Sequence, residues 1–500
     1  MSISTPREGK SDRAPRAAAA HPSDLVMMDA VPLAEAIRSR RVSCVEVMCA
    51  YLDHIARLNP KVNAIVALQD GAALLAQARE RDAQLARGEV MGPLHGFPHA
   101  VKDLAPVKGI RMTKGTPILK DFVPTADSIM VERMRAAGAI FIGKTNTPEF
   151  GLGSHTFNPV YGATLNAYDQ TRSAGGSSGG AAVALALRML PLADGSDHGG
   201  SLRNPAGWNN VCGFRTSLGL VPRDALDRWL PSMSVLGPMA RNVADLAMLL
   251  AVQAGYDDRA PLSLPGDGAR FGGRLERDFR GKRIAWAGDF NGHVPYESGV
   301  LDVCRDALKT FEAMGCIVEE AVPDYPLDAV WRAWLTLRSW FSAGELLAHY
   351  KDPQKRALLK PEAIFEVETA LKLPAIEVTA ASVVRTEWYA AVRKFFETYD
   401  YMVMPTAQLF PFEVGLDWPH EIAGHRMQTY HEWMKGVILV SMAGSPALAV
   451  PAGFDRRGWP IGIQIIGPNQ ADLACLQLAY AYDAATAWAT RRLPPLLADA

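Results

Sequence analysis

The sequence has no excess of charge of either sign and no long apolar run. Its 52 Lys and Arg residues are balanced by 53 Asp and Glu residues, a formal net charge of −1. A surface that binds nucleic acid or an anionic membrane usually carries a basic excess, which is missing here. The longest apolar stretches, residues 181–187 and 246–252, are far shorter than the ~20 residues that span a bilayer. We therefore expect no nucleic-acid or membrane partner, and a small or neutral molecule as the partner.

Cysteine is scarce and scattered. Six cysteines occur in 500 residues, only Cys44 and Cys49 are close in sequence, and no CxxC pair is present. This spacing argues against a disulfide framework and against a structural zinc site. The N-terminal residues also lack the pattern of a secretory signal. We expect a cytoplasmic protein with reduced thiols and with no metal or other cofactor.

The middle of the chain has the pattern of an α/β protein. From residue 92 to 254, glycine-rich turns alternate with short strand-like and helix-like segments. The apolar pattern predicts strands at 99–102, 139–142 and 190–193, and a helix at 181–188 that follows a Gly/Ser loop. A second glycine loop follows the third of these strands.

Helices are predicted before this region. After a flexible tail at residues 1–22, Ser43 and Glu46 form a capping box that begins a helix. The Asn-Pro pair at 59–60 is expected to end that helix. An alanine-rich helix is predicted at 70–87.

In the second half of the chain, the predicted secondary structure changes from the α/β pattern to long helices and then back to strands. Residues 255–282 are rich in proline and glycine and are predicted to be a connector. Residues 283–440 are richer in long helices, and strand-like segments return at 401–406 and 447–466. Since the α/β pattern resumes after the helical segment, one interwoven domain is favoured over the two or three that the length allows.

Residues 138–145 satisfy the GxxxxGK[ST] pattern of a phosphate-binding loop. The variable positions are Ala-Ile-Phe-Ile, which predict a buried strand, and Asn-Thr-Pro follows at 146–148. A phosphate-binding loop needs exposed N–H groups and a helix immediately after them. Nucleotide binding is therefore disfavoured, and if present it should appear as stabilisation by ATP with magnesium.

Residues 175–179 satisfy GxSxG, the nucleophile elbow of α/β-hydrolases, with Ser177 as the nucleophile. The elbow requires a strand that runs directly into it, whereas residues 166–174 are polar and turn-like. A short Gly/Ser linker is a second interpretation of the same segment.

A third interpretation joins segments that are far apart in the chain. Lys102 ends a predicted strand, Gly-Gly-Ser-Ser-Gly-Gly occupies 175–180, and Gly-Ser-Asp-His-Gly-Gly-Ser-Leu-Arg-Asn-Pro-Ala occupies 195–206. Together with the proline- and glycine-containing segments at 446–453 and 458–467, they resemble the amidase signature family over most of the chain. Linked motifs in this order are far more specific than either short pattern above.

The resemblance implies a fold. It implies an α/β protein with a single large domain, in which helices flank both faces of a mixed, twisted β-sheet. The domain would cover residues 23–495, with the signature core at about 92–254. The helical segment at about 283–440 would then be an insertion that shapes the substrate pocket.

The resemblance also implies a catalytic triad. Ser201 would be the nucleophile that forms an acyl-enzyme, and Ser177 would be a bridging serine held by a cis peptide bond. Lys102 would be the base, 75 residues before Ser177, which is itself 24 residues before Ser201. A lysine can act as a base only if its pKa falls well below the usual ~10.4, and burial among the apolar neighbours of its strand favours this.

Backbone groups and loop residues complete the expected site. Hydrolysis of an amide requires donors for the oxyanion, and the N–H groups at the start of a helix suit this role. The resemblance implies that the oxyanion donors are the backbone N–H groups of His198, Gly199, Gly200 and Ser201. Gly175, Gly176 and Ser178 would support the first loop, and an ion pair of Asp197 with Arg203 would brace the second.

Two positions depart from the family pattern. His198 stands where the family most often has threonine, and its imidazole either contacts the substrate or packs nearby. Asn204-Pro205-Ala206 replaces the Gln-Pro-Ala that is typical of the A-type components of amidotransferases, which weakens that assignment.

We therefore expect a metal-independent serine hydrolase for uncharged amides, anilides, esters or carbamates (urethanes). The alternative is the glutaminase, or A-type, component of a multi-subunit amidotransferase. No cationic cluster is evident near the motifs, which disfavours a substrate that carries a carboxylate. A homodimer is an expectation from the family. The aromatic residues of the helical segment are more often core than pocket; they are Trp331, Trp334, Trp340, Phe341, Tyr389, Tyr430 and Trp433.

Overall fold

Two β-sheets organise the protein in a computed structural model that describes residues 22–230 and 233–498. The tail predicted at 1–22 lies outside the described residues, apart from its last residue. The strands are β1 Ile65–Val66, β2 Pro98–Lys102, β3 Ile140–Thr145, β4 Ala193–Asp197, β5 Cys212–Arg215, β6 Val235–Ala240, β7 Arg283–Trp286, β8 Ile317–Glu320, β9 Tyr401–Pro405, β10 Glu421–Ile422, β11 His425–Arg426, β12 Ala447–Phe454 and β13 Pro460–Ile466.

The larger sheet has eight strands in the order β4-β6-β5-β12-β13-β9-β7-β8. Neighbours from β4 to β9 are antiparallel, whereas β9, β7 and β8 are parallel to one another. Strands from the C-terminal part of the chain are thus inserted between β5 and β7. This pairing makes one domain of the chain, and the predicted α/β class with a mixed sheet flanked by helices is confirmed.

The smaller sheet has the order β1-β3-β2, with β2 parallel to β3. Lys102 is the last residue of β2. The backbone N–H of Lys102 donates to the carboxylate of Asp194 in β4, 3.3 Å away. The end of the small sheet therefore meets the edge strand of the large sheet at Lys102.

Helices cover the sheets and one helix joins them. The helix at Gly179–Ala186 is buried throughout and contacts strands of both sheets. In the described part of the chain, no helix is both long and apolar enough to cross a membrane. The α-helices are Pro22–Met27, Ala30–Arg38, Cys44–Val62, Gly71–Ala86, Ile129–Ala136, Gly179–Ala186, Arg203–Trp208, Val243–Gln253, Val300–Ala313, Leu327–Lys351, Pro353–Arg356, Pro361–Ala370, Ala375–Phe395, Lys435–Ala443, Asp472–Thr486, Trp488–Arg491 and Pro495–Ala498.

The first long helix begins as expected but ends later. The Ser43 side chain accepts from the N–H of Glu46, and the Glu46 carboxylate accepts from the N–H of Ser43. The prediction that Asn59-Pro60 ends this helix is wrong, because the helix continues to Val62. Proline removes one N–H donor but does not prevent a final half-turn, and Asn63 then ends the helix in the left-handed conformation.

The strand predicted at 190–193 is also misplaced. The strand is Ala193–Asp197, where Gly195 pairs with Gly237 of β6. Glycine is a poor strand former, so its pairing here is decided by the neighbouring strand. The boundaries of the core and of the helical insertion stay predictions.

The GxxxxGK[ST] match does not form a phosphate-binding loop. Its last six residues are strand β3, and the Lys144 side chain is buried and donates to the carbonyl of Ala105. A short 3₁₀ helix at Glu149–Gly151 follows, after a proline. No N–H groups are arranged to receive a phosphate at this match.

Candidate active site

A cavity of about 410 Å³ opens where the two sheets meet. Lys102, Ser177 and Ser201 all line it, although they come from a strand end and two separate loops. All three are buried, with exposed fractions of 1%, 3% and 8%. The fold thus brings the three residues expected to be catalytic into one enclosed space.

The Lys102 side chain ends in a cluster of hydroxyl groups. Its Nζ atom lies 2.8 Å from Ser177 Oγ, 2.7 Å from Ser178 Oγ and 3.0 Å from Ser196 Oγ. The carbonyl of Ser196 is a fourth acceptor at 3.4 Å. Ser178 therefore touches the lysine directly, in addition to supporting the loop.

Burial lowers the pKa of Lys102 to about 7. The cause is the loss of solvation of the ammonium form, which the carboxylates of Asp194 and Asp197 oppose only in part. Near neutral pH, a substantial fraction of Lys102 is then the neutral amine. A neutral amine can accept a proton, so this lysine is suited to act as a base.

The loop that begins at Ala174 contacts Ser201 through its backbone. The Gly176–Ser177 peptide bond is cis, and the N–H of Ser178 donates to the carbonyl of Ser201 at 3.2 Å. Gly175 has φ +73°, and a Cβ there would lie 2.6 Å from Asn204 Oδ1. Glycine is required at 175 by both its conformation and this close approach.

Asp197 anchors the loop that carries Ser201. Its Oδ1 atom accepts from Arg203 Nη2 at 3.0 Å and from Arg215 Nη1 at 3.1 Å, and all three side chains are buried. Burial alone would raise the pKa of Asp197, but the two guanidinium groups hold it well below its usual range. Arg203 also donates to Gln464 Oε1 at 2.7 Å, which ties the loop to strand β13. The sequence indicated the partner Arg203 but not Arg215 or Gln464.

The expected oxyanion donors are not all equivalent. The N–H of Gly200 already donates to Asp197 Oδ1 at 2.9 Å. Gly200 has φ +107°, and a Cβ there would lie 2.6 Å from Val437, so no other residue fits. The N–H groups of His198, Gly199 and Ser201 are the remaining candidates, and Gly200 would have to share its proton between two acceptors.

The His198 imidazole lies on the cavity wall. Its Nδ1 atom is 2.7 Å from Ser234 Oγ, and its ring packs against Trp334 and Phe341. Its Nε2 atom is buried with no hydrogen-bond partner among the described residues. Burial and nearby arginines hold the pKa of His198 well below its usual value, so the ring is neutral. Nε2 is thus a buried ring nitrogen without a partner among the described residues, in a side chain that lines the cavity.

Sequence reasoning missed a buried pair behind the lysine. His99 Nε2 lies 2.9 Å from Asp194 Oδ1, and the two side chains are 2% and 1% exposed. The other oxygen of Asp194 accepts from the N–H of Lys102. The only signal in the sequence was a carboxylate at the end of an apolar run, which does not reveal its partner 95 residues away.

The cavity lining corrects the expectation that no cationic cluster lies near the motifs. Arg223 and Arg338 both line the cavity. Arg223 lies 3.6 Å from Glu345, which also lines the cavity. Arg338 donates to the buried Glu366 at 3.1 Å. Each of these guanidinium groups has a carboxylate partner, and Lys114 and Asp224 also line the cavity, so the lining is polar and carries charges of both signs.

Glu366 is held by four donors at once. Besides Arg338, they are Ser339 Oγ at 2.6 Å, Tyr430 OH at 2.5 Å and His431 Nε2 at 2.8 Å. Burial alone would raise the pKa of Glu366, but these donors lower it to about 2. A fully paired carboxylate of this kind holds Arg338 in position.

The seven aromatic residues named for the helical segment differ in burial: three of them, Trp334, Tyr430 and Trp433, are buried, whereas Tyr389 is 38% exposed. Phe341 lines the active-site cavity, whereas Trp334 and Trp433 are almost fully buried. Among the described residues, no group of three or more His, Cys, Asp or Glu side chains is arranged to hold a metal ion. The six cysteines are free.

Comparisons with known proteins agree with the geometry. A family model described as Amidase matches residues 46–476. The chain is 33% identical over 473 residues to an acylamidase from Rhodococcus erythropolis, and the match covers 94% of this chain and 98% of that protein. It is 34% identical over 478 residues to the A component of a glutamyl-tRNA(Gln) amidotransferase from Thermosynechococcus vestitus, with 90% and 96% coverage.

A solved structure agrees as well. The crystal structure of a bacterial aryl acylamidase of the amidase signature enzymes matches with a TM-score of 0.86 and 27% identity, covering 93% of this chain and 98% of that one. The chain therefore belongs to the amidase signature family of hydrolases.

Proposed function

We propose that this protein hydrolyses the C–N bond of small, uncharged amides or anilides through an acyl-enzyme on Ser201. The observation that carries the proposal is the 2.8 Å contact of Lys102 Nζ with Ser177 Oγ, inside the cavity that Ser201 also lines. The acylamidase relative and the aryl acylamidase structure support an amide substrate.

Each proton has a defined carrier in this mechanism. As Ser201 Oγ attacks the carbonyl carbon, its proton passes to Ser177 Oγ, whose own proton passes to the neutral Lys102 amine. The carbonyl oxygen becomes an oxyanion, and backbone N–H groups of residues 198–201 stabilise it. Collapse of this intermediate breaks the C–N bond while the proton returns to the leaving nitrogen. Water then repeats the sequence on the acyl-enzyme, releasing the acid.

The charge balance of the cavity supports a neutral substrate. Arg223 and Arg338 are each paired with a glutamate. Over the whole lining, four cationic side chains are matched in number by four carboxylates; they are Lys102, Lys114, Arg223 and Arg338, and Asp194, Asp197, Asp224 and Glu345. An anionic substrate would have to compete with those carboxylates, whereas a neutral carbonyl can accept from the guanidinium edges without breaking the pairs. His198 Nε2 is a further contact for a polar atom of the substrate. Carbamates and esters would react by the same steps, so we extend the proposal to them.

The second candidate is the glutaminase component of an amidotransferase, which the 34% identity to such a component favours. In that case the chain would need partner proteins and would act on glutamine. A cytoplasmic location and a homodimer stay predictions from the sequence.

The test is turnover by the purified chain on matched panels of anilides, primary amides, esters, carbamates and glutamine. We expect hydrolysis of an anilide by the chain alone, with mass spectrometry detecting an acyl adduct on Ser201. Ser201→Ala should abolish turnover and Lys102→Ala should nearly do so, while circular dichroism stays native. Glutaminase activity that appears only with partner proteins would favour the second candidate, and activity retained in Ser201→Ala would overturn both.

A further inference from the structure

A second cavity lies behind the wall of the first. It has a volume of about 380 Å³ and shares no lining residue with the active-site cavity. The two are separated by the short segment Glu149–Gly151: Glu149 lines the second cavity, while Phe150 and Gly151 line the first. The second cavity is therefore a separate compartment that the proposed reaction does not use.

The lining combines aromatic side chains with carboxylates. Phe157, Phe365, Trp418 and Tyr430 contribute their rings. A cavity with several aromatic faces takes up an apolar body, and the faces themselves attract a cation.

The charges of this cavity favour a positive ligand. Three carboxylates line it, those of Glu149, Glu362 and Asp417, against the single cation of Lys360. Lys360 Nζ lies 3.4 Å from Glu362 and also donates to the carbonyl of Leu152. Lys360 also acts on the charge of Glu149, and among the described residues Asp417 has only His420, outside the lining, 3.1 Å away, so three carboxylates share one Lys or Arg of the cavity lining.

Glu149 is the unusual group. It is 1% exposed, and its Oε1 atom has no hydrogen-bond partner among the described residues. Burial raises the pKa of Glu149 to about 7, since the ionised form is poorly solvated there. A buried carboxylate oxygen without a donor is costly, and a bound cation would relieve that cost.

The type of cation follows from the geometry. Within the described part of the chain, no three His, Cys, Asp or Glu side chains converge as metal ligands would. Aromatic rings and carboxylates in one cavity lining instead suit a cation with an apolar body. We propose that the second cavity binds a primary organic ammonium ion carried on an aromatic or short alkyl group, separately from the active site.

The test uses benzylammonium as the probe and benzyl alcohol as its neutral counterpart, titrated calorimetrically into full-length Ser201→Ala protein. We expect saturable binding of benzylammonium at least about tenfold tighter than that of benzyl alcohol, which corresponds to about 1.4 kcal/mol. Glu149→Gln and Asp417→Asn should each weaken it by about tenfold. Asp417 has a side chain that is 55% exposed, so its variant is expected to fold even if Glu149→Gln does not.

Glu345→Gln is the matched control, because Glu345 lines the active-site cavity and not the second one. Binding unchanged in Glu345→Gln but weakened in Asp417→Asn supports the proposal. Absence of saturable binding, equal affinity for benzyl alcohol, or weakening by Glu345→Gln without weakening by Asp417→Asn would overturn it.

Discussion

Replacement of Asp194 by asparagine should shift the pH dependence of the reaction. Asp194 is buried, accepts from the N–H of Lys102, and is the strongest charge that raises the pKa of that lysine. The Asp194 carboxylate lies at the backbone N–H of Lys102, and an extended lysine side chain places Nζ roughly 6 Å from its backbone. We therefore take roughly 6 Å as the distance between the ammonium and the carboxylate. At that distance and an effective dielectric constant of about 20, two unit charges interact by roughly 2.8 kcal/mol. Since a change of one in pKa corresponds to about 1.36 kcal/mol, this interaction energy corresponds to a change of about 2 in the pKa of Lys102.

The direction of the change in the pKa of Lys102 follows from the negative charge of Asp194. Removal of a negative charge withdraws stabilisation from the ammonium form, so the pKa of Lys102 falls and the neutral base persists to lower pH. The acid limb of kcat/KM, which reports the free enzyme, should therefore move from about 7 in the natural protein toward about 5 in Asp194→Asn. Asparagine keeps the size of the side chain and an oxygen that can accept from the N–H of Lys102.

The assay is kcat/KM for one neutral anilide across the pH range, with circular dichroism at each end to verify folding. Asp224→Asn is the control, since Asp224 lines the same cavity but is not among the charges that act on Lys102. Its acid limb should stay near that of the natural protein. The reasoning about Lys102 would be refuted if the acid limb of kcat/KM in Asp194→Asn moved to higher pH, or moved to lower pH by less than about 0.5.

Further predictions concern the loops and the cavity wall. Asp197→Asn leaves Arg203 and Arg215 without their buried partner, so we expect a loss of about 3–5 kcal/mol in the free energy of unfolding, measured with denaturant; an unchanged midpoint would contradict this. Gly180→Ala should cost about 1–3 kcal/mol or more, because its Cβ would lie 2.4 Å from the backbone N of Asn146. Gly344→Ala, a helical position with nothing within 4 Å, is its control and should add about 0.5–1 kcal/mol. His198→Phe keeps the ring packing but removes both ring nitrogens, and should raise KM roughly three- to tenfold with little change in kcat. Ser234→Ala removes only the partner of Nδ1 and is its control; an unchanged KM in His198→Phe would exclude substrate contact by Nε2.

Local patterns in the sequence were enough to find the residues of the proposed triad. A lysine at the end of an apolar strand and two serines in glycine loops are features of short segments. Their order and spacing, with Lys102, Ser177 and Ser201 far apart, made the resemblance to one family specific. The capping box at Ser43 was predicted correctly for the same reason, since it depends on residues three positions apart.

Element boundaries were less predictable where distant strands decide them. Gly195 lies in a strand because Gly237 pairs with it, and that partner is not visible from the neighbours of Gly195. The last residues of the first long helix, after Pro60, were not predicted. Proline is unfavourable inside a helix, and the local sequence does not show which contacts keep the following residues helical. The paired arginines of the cavity wall were missed since Arg223 and Arg338 stand in different segments, neither near a motif.

The sequence by itself determined the class of the fold, the absence of strong net charge and the residues proposed to carry acyl transfer. These depend on composition and on backbone requirements within a few residues, such as glycine at 175. Only the tertiary structure decided that Lys102 has a pKa of about 7, that Asp194 and His99 stand behind it, and that a second, acidic cavity adjoins the first. The physical reason is that solvation and charge act through space, so a side chain acquires its chemistry from neighbours that the fold brings to it across long stretches of chain.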